Sequence, residues 1–199
     1  MNFIFTVALI HFLGVASPGP DFVLVIRNAL NKGKQAGVAT SLGIMLGVLF
    51  HLSYCLLGLA VIIKTTPVLF FTLKCICGIY LCYLGVTSFI QEKQNQAKQS
   101  ISSKNTNSIR EGFLCNLLNP KCTLFFWSLF AVLLTPEIPF YIQLICCAEM
   151  LLMNFLWFSF LSFTVTHKNI RNRLERWQFW LNRTMGAVLI LLAIGIIFG

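Results

Sequence analysis

Six apolar runs alternate with polar intervals along the 199 residues, at about 3–26, 36–63, 67–90, 112–134, 140–165 and 181–198. A helix needs about 20 apolar residues to cross the hydrocarbon core of a bilayer, so the pattern predicts six transmembrane helices. Short connections join them, apart from one longer polar stretch at about 91–110, rich in Gln, Asn, Ser and Lys. That stretch has little apolar surface to bury and reads as a cytoplasmic linker. It divides a single transmembrane domain, residues 1–199, into a first repeat of about 1–90 and a second of about 111–199, with three spans each. Because three is odd, the second half must enter the membrane from the opposite side, the arrangement of inverted-topology repeats. Letter-by-letter similarity between the halves is slight (Gly78-x-x-Leu81 against Gly186-x-x-Leu189), so parity carries this expectation. The fold class predicted is an all-α membrane protein of six transmembrane helices in two inverted three-helix repeats.

Two spans contain helix breakers. The first reads Ala16-Ser17-Pro18-Gly19-Pro20-Asp21 and the fourth Asn116-Leu117-Leu118-Asn119-Pro120-Lys121. Proline removes a backbone donor and clashes with the preceding turn. Inside a bilayer, loose backbone persists only where protein or a water-filled cavity covers it. Spans 1 and 4 are therefore expected to be broken, and the sequence leaves open whether span 1 crosses fully or is re-entrant. Half-helix N-termini attract carboxylates and freed carbonyls attract cations. The candidate substrate-binding residues are accordingly Pro18, Gly19, Pro20, Asp21, Asn116, Asn119, Pro120 and Lys121. Asp21 suits either capping of the second half-helix or a substrate ammonium, and Lys121 either a carboxylate or the inner surface.

An ionisable residue inside a span is costly and marks function. Glu149 lies about ten residues into the fifth span, with Lys121, His11 and His51 as partners to choose among. Glu149, Asp21 and His51 are the candidates for proton coupling. In the second span Ala36, Thr40, Gly43, Gly47, His51, Tyr54 and Gly58 follow steps of three and four and form one stripe. Gly43-x-x-x-Gly47 permits close backbone approach, within the bundle or across a homodimer.

Composition excludes several classes. Hydrophobic residues make up 57% and charged residues 11% of the chain, against about a quarter charged in soluble domains, which rules out an ordinary soluble enzyme or a disordered chain. The net charge of +9 would suit nucleic acid if it clustered on a folded surface, but twelve of the fifteen basic residues fall after spans 1, 3 and 5. Such a bias marks cytoplasmic loops and places both termini outside; no nucleic-acid partner is expected. The eight cysteines all lie in apolar runs without a C-x-x-C pair and read as small hydrophobes, so neither a metal nor a cofactor is expected. Met1 to Ala16 lacks the basic start of a secretory signal and reads as a retained span.

At these residues the chain resembles the LysE/RhtB family of amino-acid exporters. The resemblance rests on Ser17-Pro18-Gly19-Pro20-Asp21, Arg27-x-Ala29-Leu30-x-x-Gly33-x-x-x-Gly37, Gly43-x-x-x-Gly47, Gly78-x-Tyr80-Leu81-x-Tyr83-Leu84-Gly85 and Gly112-Phe113-x-x-Asn116-Leu117-x-Asn119-Pro120-Lys121. It implies a non-enzymatic, multi-pass secondary transporter of the bacterial cytoplasmic (inner) membrane. Such a protein exports amino acids or related small metabolites, driven by protons, with a small-molecule substrate and membrane lipid as its partners. Glu149 matches no family motif, and no motif selects the substrate. An exporter of inorganic cations would need several intramembrane carboxylates, where at most two are found. A membrane-embedded enzyme would need clustered acids or histidines, whereas Glu92, Glu111, Glu137 and Glu175 lie in or beside polar intervals.

Overall fold

A computed structural model describes residues 2–59, 67–90, 107–133 and 138–166, with further helical positions between 180 and 195. Among them every regular element is helical: α1 (Asn2–Ala16), α2 (Pro20–Lys32), α3 (Lys34–Tyr54) continued by a π turn (Cys55–Leu59), α4 (Pro67–Ile90), α5 (Ser108–Leu117), α6 (Pro120–Leu133) and α7 (Phe140–Thr164). Most of the polar linker (91–106), Lys64 and the basic cluster Lys168 to Arg176 lie outside the described residues.

The first apolar run is two helices, α1 and α2, bent by 57° at the proline motif. The helix after the break continues to Lys32 rather than ending with the apolar run near 26, because Asn28 and Lys32 find a partner in Glu111 on α5. Gly33 then ends α2 at φ +96°, a conformation costly for any other residue, and lets α3 start at the next position. The fourth run is likewise two helices, α5 and α6, with Leu118 and Asn119 between them. Helix α5 begins at Ser108, within the interval assigned to the linker, where the Asn107 side chain accepts the Ile109 N–H at 3.0 Å and caps it. By length and hydropathy, Lys34–Leu57 and Phe140–Thr164 suffice to cross a bilayer, and the bent pair Phe3–Ala16 with Pro20–Lys32 adds up to a third.

Helix α3 is the hub, packed most extensively on α5 and then on α7, α2 and α6. Thr40, Gly43, Gly47 and His51 of its small-residue stripe are buried, while Leu46, Leu49 and Phe50 on the other side are exposed. A Cβ at Gly43 would fall on the Ile109 carbonyl oxygen, and one at Gly112 on that of Thr40. The G-x-x-x-G face thus serves a backbone-close crossing inside the molecule. Helix α7 turns Leu144, Ile145, Leu152, Leu156, Phe160 and Phe163 outward, an apolar face for lipid. Inside, one core joins Val7, Val48, Phe126, Phe130, Met150 and Leu189, and a second joins Val15, Phe22, Ile44 and Phe158.

Candidate functional site

The two breaks are built alike. Pro20 and Pro120 each occupy the first position of the helix after the break, where the missing N–H costs nothing. The cost falls four residues earlier, on a carbonyl whose helical donor the proline lacks. For Pro120 that carbonyl belongs to Asn116. It accepts instead from the Asn119 N–H at 3.1 Å and meets His51 Nε2 at 3.2 Å. A carbonyl only accepts, so Nε2 carries the proton, and in the neutral ring Nδ1 accepts from the Tyr54 hydroxyl at 2.6 Å. The imidazole also stacks on Phe126, with ring centroids 5.6 Å apart. His51 therefore braces the second break, with both ring nitrogens engaged.

Each break is also held by side chains of the other. From the second, Asn116 Nδ2 donates to Asp21 Oδ2 at 2.7 Å, and the Cys122 thiol lies 3.4 Å from the same oxygen. Lys121 Nζ donates to Ser17 Oγ at 3.0 Å and lies 3.5 Å from where a Cβ of Gly19 would stand. Helix α6 is capped by Asn119, whose Oδ1 accepts the Lys121 N–H at 3.0 Å. Helix α2 has Gly19 at its cap and no side-chain hydrogen bond there, so its positive end is left for another anion.

Between the breaks lies a cavity of about 50 Å³, room for roughly four waters at ~10–15 Å³ each. Ser17, Gly19 and Lys121 line it, as do Asp21, Asn116 and Asn154, each of which has a buried side-chain oxygen with no hydrogen-bond partner among the described residues. Val48, Phe22, Phe125, Phe126 and Phe158 form apolar walls. The polar lining thus offers a cation, a hydroxyl and a helix N-terminus together with a carboxylate and two amide oxygens. Such a chamber suits a solute with an anionic and a cationic group on a short apolar frame.

Of the residues singled out from sequence, Gly19, Asp21, Asn116, Asn119 and Lys121 line this cavity. Pro18, Pro20 and Pro120 shape the breaks without lining it, and His51 stands behind Asn116. Glu149 is outside the lining too. Its Oε1 lies 3.8 Å from Nδ1 of His11, which selects His11 from the three partners considered. Sequence reasoning passed over Ser17, Cys122, Asn154 and His11 as cavity residues. Asn154 carried a readable signal, an amide amid apolar residues. At the far end of α2, Glu111 accepts from Asn28 at 2.8 Å and from Lys32 at 3.0 Å, with Arg27 at 3.8 Å. Asn28 also donates to Thr40. These bonds tie α2, α3 and α5 together.

The family described as LysE type translocator matches residues 12–199. A membrane protein of Bacillus subtilis, YrhP, uncharacterized by its name, is 33% identical over 187 residues, 88% of this chain and 89% of its own. The uncharacterized membrane protein YahN of Escherichia coli is 31% identical over 185 residues, 92% of this chain and 83% of its own. The threonine efflux protein of Salmonella typhimurium is 28% identical over 193 residues, 94% of each chain. No solved structure matches the chain.

Proposed function

The chain belongs to the LysE type translocator family of membrane transporters, and within it we propose an exporter of small neutral amino acids, exchanged for protons across a bacterial cytoplasmic membrane. The observation that carries this reading is the cavity between the broken helices, whose lining holds both Lys121 and Asp21. A substrate carboxylate would displace the Ser17 hydroxyl from Lys121 and lie at the N-terminus of α2. Its ammonium would lie among Asp21 Oδ1 and the free amide oxygens of Asn116 and Asn154. Phe22, Phe125 and Phe158 would enclose a short side chain. A basic side chain would call for a second carboxylate, and Asp21 is the only acid on the cavity wall among the described residues. The threonine efflux proteins among the relatives act on a substrate of this size and charge by their names. A cation exporter fits less well, for the same shortage of carboxylates.

In this reading the six apolar runs are six spans in two inverted halves, 1–90 and 111–199, joined by the cytoplasmic linker 91–110, with both termini outside. The cavity is smaller than an amino acid needs, so its walls part when substrate enters from the cytoplasm and close before release outside. Asp21 meets the ammonium, and Glu149 the coupling proton. The test is expression in a host sensitive to inhibitory amino acids and their analogues. Growth resistance is scored and intracellular pools are measured. The wild-type chain should confer resistance and lower the pool of a small neutral amino acid. Lys121→Ala and Glu149→Gln should each abolish this while the protein remains in the membrane. Wild-type export by both variants, or no resistance from the wild-type chain, refutes the reading.

A further inference from the structure

His11 is fully buried on α1, and neither of its ring nitrogens has a hydrogen-bond partner among the described residues. Glu149 on α7 has both carboxylate oxygens buried and equally unpartnered. The two face each other at 3.8 Å, Nδ1 to Oε1, close enough to attract and too far for a hydrogen bond. The other titratable groups around them are engaged. Asp21 holds Asn116 and Cys122 through Oδ2, Lys121 holds Ser17, and His51 is occupied on both nitrogens by Tyr54 and Asn116. On α7 itself Cys146 lies one turn before Glu149, buried in the apolar core.

We infer that His11 and Glu149 together form a proton-binding site, separate from Asp21. The inference rests on the proton-coupled reading above. One proton neutralises the pair and lets Nδ1 and Oε1 share it. It takes the pair from a carboxylate and a neutral imidazole, net charge −1, to a neutral unit sharing one hydrogen bond, as carboxyl to imidazole or as imidazolium to carboxylate. The proton is held without a covalent change and leaves by the reverse step.

The location suits coupling. His11 lines the cavity, with the Phe125 and Phe126 rings 6.4 and 6.1 Å from its own. It precedes Ser17 by six residues, about 9 Å of helix. Glu149 precedes the cavity residue Asn154 by five, about 7.5 Å of helix. With the N-terminus outside, the pair stands on the outer side of the substrate chamber, where incoming protons arrive. Closing 3.8 Å to a charge-assisted bond of about 2.8 Å draws α1 against α7. Helix α1 leads directly into Ser17 and α7 carries Asn154, so the same movement shifts two residues of the cavity wall. A bound proton thereby favours one shape of that site over the other.

The test uses the full chain reconstituted in phosphatidylethanolamine–phosphatidylglycerol vesicles with labelled L-threonine. Two fluxes are measured: transport driven by a pH gradient, and threonine–threonine exchange without one. Their ratio cancels losses of folded protein, which lower both. His11→Asn and Glu149→Gln should each lower the ratio at least tenfold, and the double variant should lower it no further than either single one. Glu149→Asp, which keeps the carboxylate, should retain part of the response. A wild-type ratio in either His11→Asn or Glu149→Gln overturns the site while leaving proton coupling intact. A wild-type protein with exchange but no gradient response overturns the coupling itself, and one with neither flux overturns the substrate class as well.

Discussion

Replacing Gly112 or Gly43 by alanine adds one methyl group where α3 and α5 touch, and the surroundings set its cost. The new Cβ at Gly112 would meet the Thr40 carbonyl, and that at Gly43 the Ile109 carbonyl. Both are backbone groups that cannot rotate away, so the helices must separate to restore ordinary contact, and a gap of ~1 Å already forfeits up to about half of each local dispersion well. Overpacking a well-packed interior costs about 1–3 kcal/mol. The α3–α5 crossing is the most extensive in the molecule and belongs at the upper end, near ~3 kcal/mol for either variant. At roughly 2–4 °C per kcal/mol for a chain of this size, melting should fall by about 6–12 °C. Gly47→Ala is the informative contrast. Its Cβ would meet Asn116 Oδ1, Cβ and Cγ at 2.6–3.0 Å, and Cβ moves only with its backbone, so the whole residue must shift and its bond to Asp21 is disturbed. That variant should melt below wild type and also lose most of its export. Gly195→Ala meets nothing within 4 Å and serves as the neutral control. Melting is read in detergent with a thiol-reactive dye, since the Cys146 and Cys147 thiols are buried and react on unfolding. If the Gly43 and Gly112 variants melt like the Gly195 control, the backbone-close crossing is wrong.

Two further outcomes follow from the same contacts. Glu111→Gln should cost about 1–2 kcal/mol, less than the 3–5 of a fully buried pair, because Lys32 and Glu111 keep 11% and 17% side-chain exposure; a melting temperature equal to wild type refutes the tie between α2 and α5. Cys122 lines the cavity beside Asp21, so L-threonine should slow its alkylation by a small maleimide several-fold, in a chain whose other cysteines are replaced by alanine or serine. An unchanged rate removes Cys122 from the path of the substrate.

Both breaks were legible in the sequence because proline acts locally, through its own ring and its missing donor. The α3 stripe was legible for a similar reason, since helical period alone places Thr40, Gly43, Gly47 and His51 on one face. The partner of that face was not, because Ile109 and Gly112 lie more than sixty residues on. The extent of α2 was misread for an electrostatic reason: hydropathy registers Arg27 and Lys32 as a loop, while the helix continues because Glu111, remote in sequence, takes up their charge. The role of His51 was hidden in the same way. Its brace is needed only because Pro120 deprives Asn116 of a donor, a link between two spans that no single segment displays. Glu149 stood out as an acid in an apolar run, but its neighbour His11 is 138 residues away in the chain.

The cross-bracing of the breaks bears on how such a site exchanges its contents. A broken helix inside a bilayer is tolerable only if other groups satisfy what the break exposes, and here the side chains that cross-brace the breaks line the cavity proposed for the substrate. The two braces are unequal. Asn116 to Asp21 is charge-assisted and short, at 2.7 Å, and leaves Oδ1 of Asp21 free, so an ammonium adds to it without displacing anything. Lys121 to Ser17 joins a cation to a neutral hydroxyl at 3.0 Å, and a carboxylate is the stronger acceptor for that ammonium. A zwitterion therefore leaves the Asp21–Asn116 brace in place and releases the Lys121–Ser17 brace. The segment set loose is Ser17 to Gly19, the hinge between α1 and α2, while the second break stays held by His51. On this account motion during transport centres on the first broken span, with α5 and α3 as the fixed frame.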